Sequence, residues 1–124
     1  MKSDTKVTAM IPAHDVERAV RWYEEKLGFK PARNDDYGAT YAFNGLSAFL
    51  YKSDYAGTAE HTLLSFDTSN LAADMTALRG RGVVFLDYDL PDLKTENGVA
   101  VFGPVKNAWA KDSEGNILGF VEGM

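Results

Sequence analysis

The sequence predicts an α+β domain in which one unit, a strand, a helix and three further strands, is used twice. Three observations carry that prediction. Two segments place apolar residues at helical spacing behind a capping Asx residue, a short β-type stretch precedes each, and the two caps, Asp15 and Asn70, stand 55 positions apart with further strands after both.

The first unit opens with KVTAMIPA (6–13), read as a strand. In DVERAVRWYEEKLG, Val16, Ala19, Val20, Tyr23 and Leu27 recur on one helix face, Asp15 is placed to cap the first turn, and Gly28 stops the run. Strands are expected at FKPARND (29–35), ATYAF (39–43) and SAFLYK (47–52). The second unit opens with HTLLSFDT (61–68) and continues into NLAADMTALRGRG, where Leu71, Met75 and Leu78 share a face between the cap Asn70 and the stop Gly82. VVFLDY (83–88), NAWAKD (107–112) and NILGFVE (116–122) complete it as strands. Superposing the caps sets Thr8 opposite Leu63; superposing the last turns, NGL (44–46) on EGN (114–116), sets Phe49 opposite Gly119. The extra length of the second unit lies in residues 91–105, and a long insertion of turn residues is expected as a loop over a pocket.

With 124 residues, 45% of them apolar, the chain has enough material for one core, and a single domain over 1–124 is expected, its modules at about 5–53 and 60–124. A net charge of −5 supplies no basic field, so nucleic acid is not an expected partner. The absence of cysteine removes disulfides, thiolate metal sites and thiol nucleophiles. No apolar run approaches bilayer length, and MKSDTK lacks an apolar stretch, so a protein with no membrane partner, located in the cytoplasm, is expected. There is no phosphate loop, nucleophile elbow or H-E-x-x-H. Asp112 and Glu114 flank a turn and are read as turn residues, while Arg18, Arg21, Glu24, Glu25 and Lys26 are read as the solvated face of the first helix.

AMIPAHDVERAVRWYEEKLGF, Gly45, LRGRGV, DLKTENGVA and above all AWAKDSEGNILGF resemble the matching parts of the glyoxalase, bleomycin-resistance and extradiol-dioxygenase superfamily, the vicinal-oxygen-chelate proteins. The resemblance covers nearly the whole chain. It implies two βαβββ modules, each a curved sheet with a helix on one face, together enclosing a cleft, usually in a homodimer. It also implies, for the metal-dependent members, four ligands on the first and last strand of each module. Those positions here are Thr8, Phe49, Leu63 and Gly119, and none is a usual metal ligand. The expectation is therefore no metal and no cofactor, and neither glyoxalase nor dioxygenase chemistry. A displaced site drawing on His14, His61 or Glu122 is the remaining route to an ion.

Strand alternation then assigns a ligand-binding wall: Thr8 and Met10; Ser47, Phe49 and Tyr51; His61, Leu63 and Ser65; Ile117, Gly119 and Val121; with Trp109 as an added aromatic. Gly119 is expected to leave room at the floor for a ring or for the facing Phe49. Such a wall suits a small, flat, weakly polar organic ligand. Two classes of function stay open: a non-catalytic protein that sequesters a planar or aromatic compound, and a metal-independent lyase or isomerase using His61 or Tyr51 as acid/base.

Overall fold

The capping pattern sets the helices. The Asp15 carboxylate accepts the Arg18 N–H at 3.0 Å and the Asn70 side chain accepts the Ala73 N–H at 3.1 Å, each satisfying a first-turn donor. In the computed structural model, which describes residues 1–124, β1 (Thr8–Ala13) leads into α1 (Val16–Trp22), which widens into a π-helical turn (Tyr23–Leu27) ended by Gly28 in the left-handed region. Then come β2 (Arg33–Asp35), β3 (Gly38–Phe43) and β4 (Leu46–Lys52). The second module runs β5 (Thr62–Asp67), α2 (Leu71–Gly80), a small hairpin of β6 (Asp89–Leu90) and β7 (Leu93–Lys94), then β8 (Val99–Phe102), β9 (Val105–Lys111) and β10 (Ile117–Glu122).

Each module forms one four-stranded sheet, ordered β1-β4-β3-β2 and β5-β10-β9-β8, with the leading strand parallel to the last and the others antiparallel. This is the predicted α+β architecture of two βαβββ modules. One strand moves. Residues 83–88 form no strand: Phe85 makes a single bridge to Ala110, the Leu86 N–H bonds the Trp109 carbonyl, and the chain then leaves the sheet. The edge is taken over by β8, from within the segment expected to be loop. Asn97-Gly98, with φ of 52° and 82° between the doubly bonded pair Glu96 and Val99, makes the tight hairpin turn that returns the chain to the edge.

Alternation places Ile11, Ala13, Ala39, Tyr41, Ala48 and Leu50 on the inner face of the first sheet and Ala108, Ala110, Leu118 and Phe120 on that of the second; all are buried in one core. The alanines let the helices lie close, so that Tyr23 from the end of α1 and Leu71, Met75 and Leu78 from α2 fill the space between sheet and helix. A chain of ring contacts, Phe43 to Phe66 at 5.9 Å and Phe66 to Phe120 at 5.7 Å, carries this core from one module into the other. The inner faces thus share one interior, and each sheet's outer face lies on the side away from it.

A polar clamp fixes that arrangement. Asp112, at the end of β9, is buried and accepts the N–H groups of Glu114 and Asn116 on one oxygen and the Tyr23 hydroxyl (2.8 Å) and Asn116 amide on the other. Glu114 has no exposed side-chain surface and receives the Asp15 N–H, the Ser113 hydroxyl and two Arg18 nitrogens, the last three at 2.7–2.9 Å. Asn116 donates to the Pro12 carbonyl and accepts the Gly57 N–H. Gly57 is required there, since φ is +74° and a Cβ would stand 2.4 Å from the Glu114 carbonyl. The roles expected of Asp112 and Glu114 as simple turn residues, and of Arg18 as part of a solvated face, are therefore corrected: they join the second module's last turn to the first module's helix. Burial tends to raise the Glu114 pKa, but its hydrogen bonds to Arg18, Ser113 and Asp15 prevail and hold it at about 2, below the ordinary 4.5.

Glu114→Ala is expected to lower stability by about 2–3 kcal/mol, because a buried backbone N–H and a guanidinium lose their acceptor. Since the folded-state pKa is depressed, the contribution is complete above pH 4.5 and is lost as pH falls toward 2. Denaturant unfolding of both proteins should show a gap that is constant from pH 7 to 5 and shrinks below pH 4.5; a gap independent of pH over that range would contradict the assignment.

Candidate functional site

The outer face of the first sheet gathers five of the expected residues. Register pairs Thr8 with Ser47 and Met10 with Phe49, and sets Pro12 beside Tyr51, all on the side away from the helix. Phe49 and Tyr51 lie parallel, 6.5 Å apart. The Phe49 ring reaches back over β3 because Gly38 has no side chain: a Cβ there would stand 2.9 Å from the ring tip. Met10 remains 49% exposed, so this apolar face has no cover within one chain. Of the other aromatics, Tyr41 belongs to the main core, where burial and nearby Glu24 push its hydroxyl up to about 12, and Tyr37 is exposed on the β2–β3 turn.

The second sheet departs from simple alternation. The register of β10 against β5 pairs Ile117 with Thr62 and then Leu118 with Leu64, so an irregularity falls at Leu63. Leu63 is thereby packed against the main core, and Thr62 takes the outward place expected for it. Ser65 is outward, as its parity requires, and pairs with Gly119. His61 lies before the strand, exposed, with Nδ1 3.1 Å from the Thr62 carbonyl. Neither His61 nor Tyr51 hydrogen-bonds another titratable side chain, so the geometry assembles no acid/base pair around them.

Gly119 answers differently from the expectation. Its vacant side-chain position is bordered by Ser65 Oγ and Thr62 Cγ2, each 3.2 Å from where a Cβ would be, and Phe49 belongs to the other, outward-facing sheet. The glycine makes room for this chain's own hydroxyl residues. Trp109, paired with Gly119 on β9, donates its indole N–H to Thr62 Oγ1 on β5 at 3.1 Å, so the ring spans the central strand β10.

Trp109 and Ile117 are covered by the insertion. With Ala100 they form a second, small cluster against which Leu86, Tyr88 and Leu93 pack, and the Tyr88 ring meets Trp109 edge-on at 5.4 Å. Asp87 holds the segment in shape by accepting the Thr95 hydroxyl and the Gly98 N–H, both at 2.9 Å. Val121 is likewise buried at the far end of β10. Sequence reasoning missed Thr62, because it counted alternation through the irregularity, and Tyr88, because it assigned residues 83–88 to a strand. It also missed Asn107, which shares parity with Trp109 and has its side-chain carbonyl oxygen buried without a donor. The residues at the centre of both outer faces are uncharged. Arg33 and Asp35 pair with each other at 3.2 Å on the β2 edge, while Asp67 and Lys111 lie at strand ends.

The donor set does not fit a divalent ion. Thr8, Phe49, Leu63 and Gly119 offer one hydroxyl among them, and no three His, Cys, Asp or Glu side chains converge anywhere in the chain. The displaced candidates have other partners: His14 Nε2 lies 2.9 Å from the Ala56 carbonyl, and Glu122 accepts the Leu71 N–H at the start of α2 and faces Lys106 at 3.8 Å.

A family model described as the Glyoxalase/Bleomycin resistance protein/Dioxygenase superfamily matches residues 7–118. Among solved structures, UcmS2 superposes with a TM-score of 0.76 at 19% identity, covering 98% of both chains. A glyoxalase/bleomycin resistance protein/dioxygenase from Alicyclobacillus acidocaldarius gives 0.72 at 21%, covering 98% of this chain and 92% of that one. TnmS3, an antibiotic binding protein from Streptomyces sp. CB03234, gives 0.70 at 22%, covering 100% and 99%. No curated protein matches significantly. The chain belongs to the glyoxalase/bleomycin-resistance/dioxygenase superfamily.

In a Trp22→Phe background, which leaves Trp109 as the sole indole, Tyr88→Ala is expected to shift tryptophan emission to longer wavelength by uncovering the ring, at a cost to stability of about 1 kcal/mol. Unchanged emission would contradict the packing of the insertion on the second sheet.

Proposed function

We propose that this member of the superfamily is a non-catalytic binding protein that sequesters a planar, uncharged organic compound. The observation that carries the reading is the composition of the two outer faces. They present a parallel Phe49–Tyr51 pair and Met10 on the first sheet and Tyr88, lying over the buried Trp109, on the second, with hydroxyls from Thr8, Ser47, Thr62 and Ser65, around positions that hold no metal donor set. Flat rings stack on such a surface, and hydroxyls satisfy their edges. A charged ligand would have to be stripped of water with no counter-charge at the centre of either face, which is unfavourable by several kcal/mol. That one structural neighbour is described as an antibiotic binding protein supports a small-molecule-binding reading.

The cleft in this reading belongs to a homodimer. Each outer face lies on the side of its sheet away from the shared core, and β1 and β5 are both edge strands of their sheets. Edges of this kind call for pairing. Joining β1 of one copy to β5 of another would set the Phe49 face beside the Trp109 face and close a cleft from two chains.

Titrating flat aromatic compounds against tryptophan emission and thermal unfolding tests the reading. A ligand at 100 times its Kd is expected to stabilise the protein by about 2.7 kcal/mol, with one site for each β1–β5 seam. Phe49→Ala should weaken binding tenfold or more while the protein remains folded, and sedimentation should give a dimer. Flat melting curves across a broad set of planar compounds would refute it.

A further inference from the structure

The dipeptide Asn-Gly occurs twice in this chain, at 44–45 and at 97–98, and each time it forms a two-residue hairpin loop, between Phe43 and Leu46 and between Glu96 and Val99. The surroundings are opposite. At the second loop the peptide unit joining the two residues is held at both ends: the Asn97 carbonyl accepts Arg79 Nη2 at 2.8 Å, and the Gly98 N–H is donated to Asp87 Oδ1 at 2.9 Å. Gly98 is buried, and a Cβ there would meet Phe85, Arg79 and Met75 at 3.1–3.3 Å. At the first loop neither the Asn44 carbonyl nor the Gly45 N–H has a partner within the chain, both residues are exposed, and nothing lies within 4 Å of where a Gly45 Cβ would be.

That contrast decides a reaction that the backbone can carry out on its own side chain. In Asn-Gly the glycine nitrogen is close to the asparagine Cγ, and the absent side chain leaves its approach open. The nitrogen gives up its proton to solvent and attacks Cγ; the N–Cγ bond forms, the Cγ–Nδ2 bond breaks and ammonia leaves, closing a cyclic imide. Water then opens the ring at one of its two carbonyls, giving aspartate or isoaspartate. The net change is amide and water to carboxylate and ammonium, with no oxidant or cofactor. We propose that Asn44 is a self-modification site that converts by this route in the folded protein, and that Asp87 and Arg79 protect the identical pair at Asn97-Gly98. Attack by the Gly98 nitrogen would first break a charge-assisted hydrogen bond and then build negative charge against the Asp87 carboxylate. Gly45 meets neither obstacle. The site is also placed to matter: Asn44 borders a groove of about 710 Å³ between the modules, on a wall that already carries Asp67 and Asp74. Both products add a carboxylate there, and isoaspartate also adds a backbone atom to the loop that closes Phe43 on Leu46.

The test is timed incubation of the full chain at mildly alkaline pH, folded and in concentrated urea, followed by peptide mass spectrometry. Trypsin separates the two loops, placing Asn44 in the peptide 34–52 and Asn97 in 95–106, and fragmentation assigns the converted residue. In the folded protein Asn44 is expected to convert roughly tenfold or more faster than Asn97, the factor that a charge-assisted hydrogen bond supplies. In urea, where both peptide units are released, the two rates should agree within a few-fold. Asp87→Ala, with its folded state checked by circular dichroism, should raise the Asn97 rate by roughly tenfold and leave Asn44 unchanged. Equal rates at the two loops in the folded wild type, or an Asn44 rate that folding suppresses as strongly as that of Asn97, would overturn the proposal whether or not the variant folds. A folded Asp87→Ala protein in which Asn97 stays as slow as before would overturn the protective role of Asp87.

Discussion

Two buried carboxylates govern the rest of this structure. Asp112 and Glu114 lie on one turn of the second module, and every hydrogen-bonding position they offer toward the interior is taken by α1, by Asp15 or by their own turn. Buried charges are tolerated only when so fully paired, and removing any partner leaves a desolvated group unsatisfied. The pairing thus dictates how the modules meet: the β9–β10 turn must sit on the start of the first helix, with Asn116 reaching the Pro12 carbonyl and Gly57. Once that turn is docked, the inner faces of both sheets and the phenylalanine chain between them fall into one core.

With the inner faces committed to each other, the proposed binding site falls on the outer faces. Small residues do the structural work inside, with Ala13, Ala39, Ala48, Ala108 and Ala110 letting the core close tightly, while the large flat side chains Phe49, Tyr51 and Trp109 stand on the other side of the same strands. The insertion adds to one wall. Leu86, Tyr88 and Leu93 fold over Trp109 and Ile117, so the second sheet presents a partly built surface and the first sheet an open one. The asymmetry between modules of one duplicated pattern comes mainly from this segment.

The helices were legible in the sequence because caps, period and stops agreed, and Asp15, Gly28, Asn70 and Leu71 do what local chemistry requires of them. The face of the first sheet was legible for a similar reason: β1 and β4 run without interruption, so counting by twos from Thr8 and Ser47 finds its residues. Counting failed where backbone register breaks. The irregularity at Leu63 is a tertiary event between β5 and β10, and nothing in HTLLSF marks it. The strand assigned to 83–88 failed because a β-type composition was outcompeted by β8, whose entry was signalled by the Asn97-Gly98 pair within the presumed loop. The clamp was invisible since its partners lie almost a hundred residues apart and a Glu beside a turn usually belongs to water.

The proposed reading rests on donor chemistry: Thr8, Phe49 and Gly119 offer a single hydroxyl, Leu63 packs against the core, and His14 and Glu122 have partners within the fold. The most direct measurement is calorimetric titration of zinc, nickel and iron(II) into protein stripped with a chelator. The expected result is no stoichiometric heat from any of the three, with affinity for a flat aromatic ligand the same before and after stripping. One ion bound tightly per site, accompanied by loss of ligand affinity on its removal, would contradict the central claim.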